Sequence, residues 1–383
     1  MRTRLPIFAL LTLASAGPVV AQNLGAFIES RVPKAPTAVM GDGKVQLIYE
    51  LRITNYGPDR ALTQIEVLGN GAGAPLLTIP GEDLKKVIRL IGPQPGAAAD
   101  ARVVPVGRSA TLFLQVTLAD AKSVPTSLRH RVVSALADSV AQSRRDTTLT
   151  AGVSVLQPGP MVIASPFGGG GGAWVAVNGP GNTSGHRRTL IPIGGLARIP
   201  QRFGTDWIKL GPEGAPFHGD STVNANWYGY GTPIVAVAHG KVVEVKDGII
   251  ENVPLSPKMA VPITLETVGG NHVILEIGPG VYAFYAHLQP GSLKVKLGDF
   301  VSRGAPIGLL GNSGNSTAPH LHMHVGDQGS PLGCEGIPFV FDQFQLLGRV
   351  KGVDQEEVWK ATQPAVSKSR ELPMENQVVL FPK

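Results

Sequence analysis

At 383 residues the chain is too long for one ordinary domain and suits two. A hydrophobic share of 43% can fill a core, while 48 Gly and 32 Pro favour turns and short strands over long helices. The net charge of +6 is spread without a block of five basic residues, so no nucleic-acid partner is expected, although a basic chain suits an anionic cell wall or membrane surface. The single cysteine, Cys334, excludes an intrachain disulfide and a Cys-rich metal site, so any metal must be held by His and carboxylates. Cys334 itself reads as a small packed side chain.

In chain order, Arg2 and Arg4 precede a mostly apolar stretch over 5–16, with small residues up to Ala21. Residues 1–21 therefore read as a signal peptide, cleaved after Ala21 or Ala16, and too short and too broken at Pro18 to anchor in a bilayer. The mature protein is expected to be secreted or periplasmic, without stable membrane insertion. Over 44–54 the sequence KVQLIYELRIT puts Val45, Leu47, Tyr49, Leu51 and Ile53 on one side, the pattern of a half-buried antiparallel strand. A turn at 55–58 and further strands at 61–67 and 111–118 extend the pattern. Residues 23–158 are thus expected to form an immunoglobulin-like β-sandwich, a structural or substrate-presenting module. Its single histidine, His130, has no catalytic company.

Residues 159–185 read as a Gly-rich linker or an active-site loop, since five consecutive glycines run from Gly168 to Gly172. The remainder, 186–383, holds eight of the nine histidines. A hairpin over 234–245 is expected to turn at His239-Gly240. Strands follow at 262–267, 272–277, 281–288, 305–310 and 321–326, with a possible edge strand at 376–381. The whole chain reads as mainly β.

The densest chemical signal is Pro319-His320-Leu321-His322-Met323-His324-Val325. In a strand the three histidines share one face, while Leu321, Met323 and Val325 enter a core. Neighbours on that face lie about 7 Å apart, so one can bind an ion while the next touches its water. A catalytic zinc needs three protein ligands and an open position. Candidates for the other ligands are His186, Asp206, His218, Asp220, His239 and His287.

The run from Gly311 to His322, GNSGNSTAPHLH, resembles the C-terminal signature of LytM/lysostaphin-type zinc endopeptidases. Tyr285-Ala286-His287-Leu288 resembles the Tyr-x-His-Leu strand of that family. The stretches 231–242 and 297–308 resemble its first core hairpin and the segment before its last metal motif. The resemblance covers about 231–325 in the correct order, and it implies an antiparallel β-sheet peptidase domain over 186–383 that binds Zn²⁺. By that resemblance His322 is a zinc ligand, and His287 and His320 are catalytic histidines beside the attacked carbonyl. One His and one Asp from earlier in the chain would complete the ligand set.

The usual His-x-x-x-Asp string of the family is missing. In its place stand His186-Arg187-Arg188 and, twenty residues after His186, Asp206 in an aromatic-flanked segment. His186 and Asp206 are therefore the expected ligands, with His218 and Asp220 as the alternative. His239 is expected in an exposed turn, His272 as structural, and His324 as a non-ligand on the metal face. Arg187, Arg188 and Arg202 would bind substrate carboxylates or lie in solvent. The expected activity is an exported zinc metalloendopeptidase cutting peptide cross-links of peptidoglycan. The alternatives are a catalytically silent wall-binding or hydrolase-activating module and a peptidase for other secreted peptides.

Overall fold

A computed structural model describes residues 27–70, 73–93, 96, 99–138, 145–157, 159–169, 171–351 and 358–382. The signal-peptide reading of 1–21 lies outside the described residues. In the first half, alternating apolar residues build two antiparallel sheets. One runs Ile28–Arg31, Lys44–Asn55, Ser109–Leu118, Ile88–Leu90, and the other runs Asp146–Leu149, Ser127–Leu136, Arg60–Leu68, Leu77–Pro80. Leu47, Leu51 and Ile53 from the first and Leu62, Ile65 and Val132 from the second share one core, so the two sheets form a sandwich.

The strand Lys44–Asn55 is not half-buried as its alternation implies. Its outward residues Gln46, Ile48 and Glu50 are buried as well. Ile48 joins the hydrophobic core of the second half. Glu50 accepts hydrogen bonds from Arg187 Nε at 2.9 Å and Arg202 Nε at 2.8 Å. Alternation reports only that one face is apolar; here the polar face is covered by the rest of the chain.

The second half is organised on one large sheet. Among the described residues its order is Met161–Ile163, Phe339–Arg349, Gln377–Leu380, Ala173–Val177, Thr205–Leu210, Leu321–Gly326, Val281–Leu288, Asn271–Gly278, Gly240–Lys246, Phe300–Val301. Trp207, Tyr285, Leu321, Met323 and Val325 point into the core beneath it.

Several expectations are corrected. Within 159–185 the chain is not free: Met161–Ile163 and Ala173–Val177 are sheet strands, and Trp174 stacks on Phe167 at 3.6 Å. Residues 234–245 form no hairpin, because Pro233–Val235 pairs with Pro306–Leu309 while Gly240–Lys246 pairs with Asn271–Gly278. Gly240 marks a close approach: a Cβ there would lie 2.6 Å from the Glu276 carbonyl oxygen. The expected strand at 262–267 is a closed turn, since Thr267 Oγ1 donates to the Pro262 carbonyl at 2.6 Å and accepts from the Thr264 amide at 2.9 Å. Gln377–Leu380 is an interior strand paired on both sides, not an edge. Its unbroken apolar run fits burial on both faces.

His130 sits fully inside the sandwich, with Nε2 2.8 Å from Tyr49 Oη. Burial pushes its pKa down to about 4. The folded chain therefore keeps His130 neutral down to that pH, whereas the unfolded chain protonates it near 6.5. Stability is fully present above about pH 6.5 and is lost as pH falls through this window, by about 3 kcal/mol from this group. Denaturant unfolding of the wild type and His130→Gln from pH 7 to 4 should show the wild-type advantage shrinking by about that amount.

Candidate metal centre

Strand register brings the first two groups together. Asp206 lies directly opposite His322 across the Thr205–Leu210 and Leu321–Gly326 pair, and Ala286 flanks His322 on the other side. Thr205 and Trp207 face inward, so Asp206 faces out beside His322. The alternation that places Leu321, Met323 and Val325 in the core aligns His320, His322 and His324 on the site face.

His287 reaches this face by a different device. Strict alternation with Ala283 and Tyr285 would send it into the core. A register shift opposite Asn271 and Val273, together with φ of +64° at His287, turns its ring toward the site. A bulge that re-aims one side chain is a recurrent feature beside active sites. Its amide stays satisfied by the Gly269 carbonyl at 2.9 Å. His186 comes from a turn between strands Ala173–Val177 and Ile191–Ile193.

Asp206 is the hub. Its Oδ2 is 3.1 Å from His186 Nε2, and its Oδ1 is 2.8 Å from His322 Nδ1 and 3.3 Å from His320 Nε2. Asn178 Nδ2 donates to Oδ2 at 2.9 Å. One ligand atom from each of His186, Asp206 and His322 lies within 4.8 Å of the others. Ligands about 2.1 Å from one tetrahedral ion would stand about 3.4 Å apart. The nitrogen, nitrogen and oxygen donors are those a divalent transition metal prefers, so the residues fit such an ion.

Charge follows this geometry. Burial alone would raise the Asp206 carboxyl, but the imidazoles of His186 and His320 outweigh it and hold it well below the usual carboxylate range. Burial also works against His186 and His320 carrying charge, yet Asp206 leaves both raised. His322 is lowered, chiefly by burial. His287 is pushed well down, by burial first and then by its neighbours His320 and His322.

Both expected catalytic histidines have Nδ1 committed to a backbone carbonyl. His287 Nδ1 is 2.8 Å from the Ser313 carbonyl oxygen, and His320 Nδ1 is 2.8 Å from that of Ala318. With Nδ1 donating, His287 presents Nε2 as a base, while His320 Nε2 faces Asp206 Oδ1. The two rings lie 4.8 Å apart, centre to centre. The groove beside them has a volume of about 380 Å³ and is lined by His186, Asp206, His287, His320 and His322 among others.

The alternative pair does not join this cluster: His218 packs on Tyr228, and Asp220 is exposed and accepts from Thr222. His239 is exposed, and His272 sits between the Gly270 carbonyl and Glu244. Cys334 is buried against Ile274 and Phe284. Arg187 and Arg202 are neither solvated nor free for substrate, since both are buried on Glu50. Two further contributors, Asn178 and Gln201, were not foreseen, and His324 was expected only as a non-ligand on the metal face. Asn178 holds Asp206, Gln201 Nε2 lies 3.3 Å from His322 Nε2, and His324 Nδ1 lies 3.0 Å from that same nitrogen. Only His324 left a trace in the sequence, through its place on the His face.

The family model for Peptidase family M23 matches residues 227–333. That span contains His287, His320 and His322 but neither His186 nor Asp206. Peptidoglycan DD-endopeptidase ShyA of Vibrio cholerae is 43% identical over 93 residues, covering 22% of this chain and 21% of that protein. Lysostaphin of Staphylococcus staphylolyticus is 37% identical over 94 residues, covering 24% of this chain and 16% of that protein. The chain thus spans about a fifth or less of the length of these curated relatives. Among solved structures, the catalytic domain of lysostaphin from Staphylococcus simulans aligns at 26% identity over 33% of this chain and 86% of that chain, with a TM-score of 0.20. Three histidines of the cluster, His287, His320 and His322, thus lie inside the segment 227–333 that matches Peptidase family M23.

Proposed function

We propose that this chain is an exported zinc metalloendopeptidase that hydrolyses peptide cross-links of bacterial peptidoglycan. The observation that carries the reading is the convergence of His186, Asp206 and His322 beside His287 and His320, whose rings are held at Nδ1 by the Ser313 and Ala318 carbonyls. His186, Asp206 and His322 would hold the zinc. When bound, zinc supplies a Lewis acid that polarises a carbonyl and acidifies water. His287 and His320 act on the substrate side. One accepts the proton of the attacking water at Nε2 and delivers it to the leaving amine. The other, protonated on both nitrogens, hydrogen-bonds the developing oxyanion from Nε2–H. The Ser313 and Ala318 carbonyls hold both rings in the orientation this needs. Asn178 keeps the Asp206 carboxylate in place.

The wall substrate is inferred from the relatives, which are named as a peptidoglycan endopeptidase and as lysostaphin. Export is inferred from residues 1–21, and among the described residues no helix is long and apolar enough to cross a membrane. Purified peptidoglycan incubated with the protein should release muropeptides with new amine ends, read by mass spectrometry, while casein stays intact. Casein cleavage without muropeptide release would favour a peptidase for other secreted peptides. A zinc-free, inactive protein would favour a silent module.

Metal analysis of the wild type should find one zinc per chain, and Asp206→Ala should lose it together with hydrolysis. His287→Ala and His320→Ala should keep zinc while kcat falls by about 10²–10⁴-fold. Because Asp206 raises His186 in the metal-free protein, a proton occupies that imidazole at and somewhat above its ordinary pKa and must leave when the ion binds. Apparent zinc affinity should therefore fall about tenfold or more per pH unit on acidification below neutrality, measured by chelator competition from pH 8 to 5.5. Hydrolysis should fall steeply below about pH 6 for the same reason.

A further inference from the structure

We propose that the N-terminal sandwich is a working part of the metal centre, with buried Glu50 positioning ligand His186 through its neighbour Arg187. The inference rests on the metal-site reading above. Asp206 and His322 are locked by strand register, but His186 stands in a turn with no ladder to hold it. The local bonds of that turn are short-range: Ser184 Oγ donates to the Asn178 carbonyl at 2.7 Å, and the Thr189 amide donates to the His186 carbonyl at 3.2 Å. Beyond the contact of His186 with Asp206, its long-range anchors come from the sandwich.

Arg187 is fully buried. Its Nε donates to Glu50 Oε1 at 2.9 Å, and one terminal nitrogen donates to the carbonyls of Tyr49 and Leu114, both at 2.7 Å. Those acceptors sit on two adjacent strands of the sandwich. Arg188 adds a bond to the Lys86 carbonyl, and Arg89 of the sandwich donates back to the Arg188 carbonyl at 2.9 Å. The Phe113 ring lies beneath both guanidinium groups, 5.6 Å from that of Arg187 and 5.3 Å from that of Arg188.

The second oxygen of Glu50 holds the other approach to the site. Oε2 accepts from Arg202 Nε at 2.8 Å, and Arg202 also donates to Glu335 and to the Gly336 carbonyl, both at 2.8 Å. Arg202 follows Gln201, which touches His322, and lies in the turn that leads into the strand carrying Asp206. One sandwich carboxylate therefore fixes both segments that deliver the upstream ligands. Charge-assisted bonds to guanidinium groups are strong and directional, which suits them to this task. The sandwich is not a plug, because the residues lining the groove all fall between 178 and 332.

The test uses the full chain. Glu50→Gln combined with Arg187→Gln removes one charge of each sign, so the cluster stays balanced around Arg202 and Glu335 and the protein keeps a cooperative melt. Zinc affinity should drop about 10–100-fold, and kcat should fall more than KM changes. Arg187→Lys, which keeps the charge but loses the fork to Tyr49 and Leu114, should show a smaller loss. Asp42→Asn breaks an exposed ion pair to Arg349 elsewhere between the two halves and should leave zinc affinity unchanged. Zinc binding as tight as wild type in both Arg187 variants would overturn the inference while leaving the metal site intact. A wild-type chain that takes up no zinc would overturn the metal-site reading itself.

Discussion

The site is built around one largely buried carboxylate. Asp206 has 13% of its side-chain surface exposed, and three imidazoles and an amide crowd its two oxygens. An ionised carboxylate in such a place is costly unless positive charge lies against it. In the metal-free chain the imidazoles of His186 and His320 lie against it, and Asp206 raises the pKa of both against the effect of burial. A divalent cation at the cluster would answer the same demand.

Three kinds of backbone device serve this carboxylate. Strand register puts His322 opposite Asp206 with the precision of a hydrogen-bonded ladder. A bulge with a left-handed residue swings His287 out of the core and onto the site face. A turn supplies His186, and a turn needs outside support. The sandwich gives it through Arg187 and Glu50, deep in the seam between the two halves. That seam explains why the outward face of Lys44–Asn55 is polar yet buried.

Much of this was legible in the residues. Alternation located Lys44–Asn55, Val281–Leu288 and Leu321–Gly326, because a sheet with one apolar face writes a period of two into the chain. The His-Leu-His run announced a polar site over a core for the same reason. Reading failed where side chains, not the backbone ladder, closed the structure, as in the Thr-bonded turn at 262–267. It failed again at Gly240, where a glycine marks close strand approach and imitates a hairpin turn. It also mistook Gln377–Leu380 for an edge, since a strand's neighbours are not written in its own sequence.

The sequence alone determined that the chain is mainly β, that any metal must be held by histidine and carboxylate, and that His287, His320 and His322 stand in family-like motifs. Those conclusions depend on composition and short spacings, which are local. Tertiary structure decided which upstream pair meets His322, because the choice between His186 with Asp206 and His218 with Asp220 turns on strand pairing across more than a hundred residues. It also decided the fate of Arg187 and Arg202. A guanidinium reads as solvent-exposed or substrate-binding until a carboxylate more than a hundred residues away, buried in another sheet, is found to hold it.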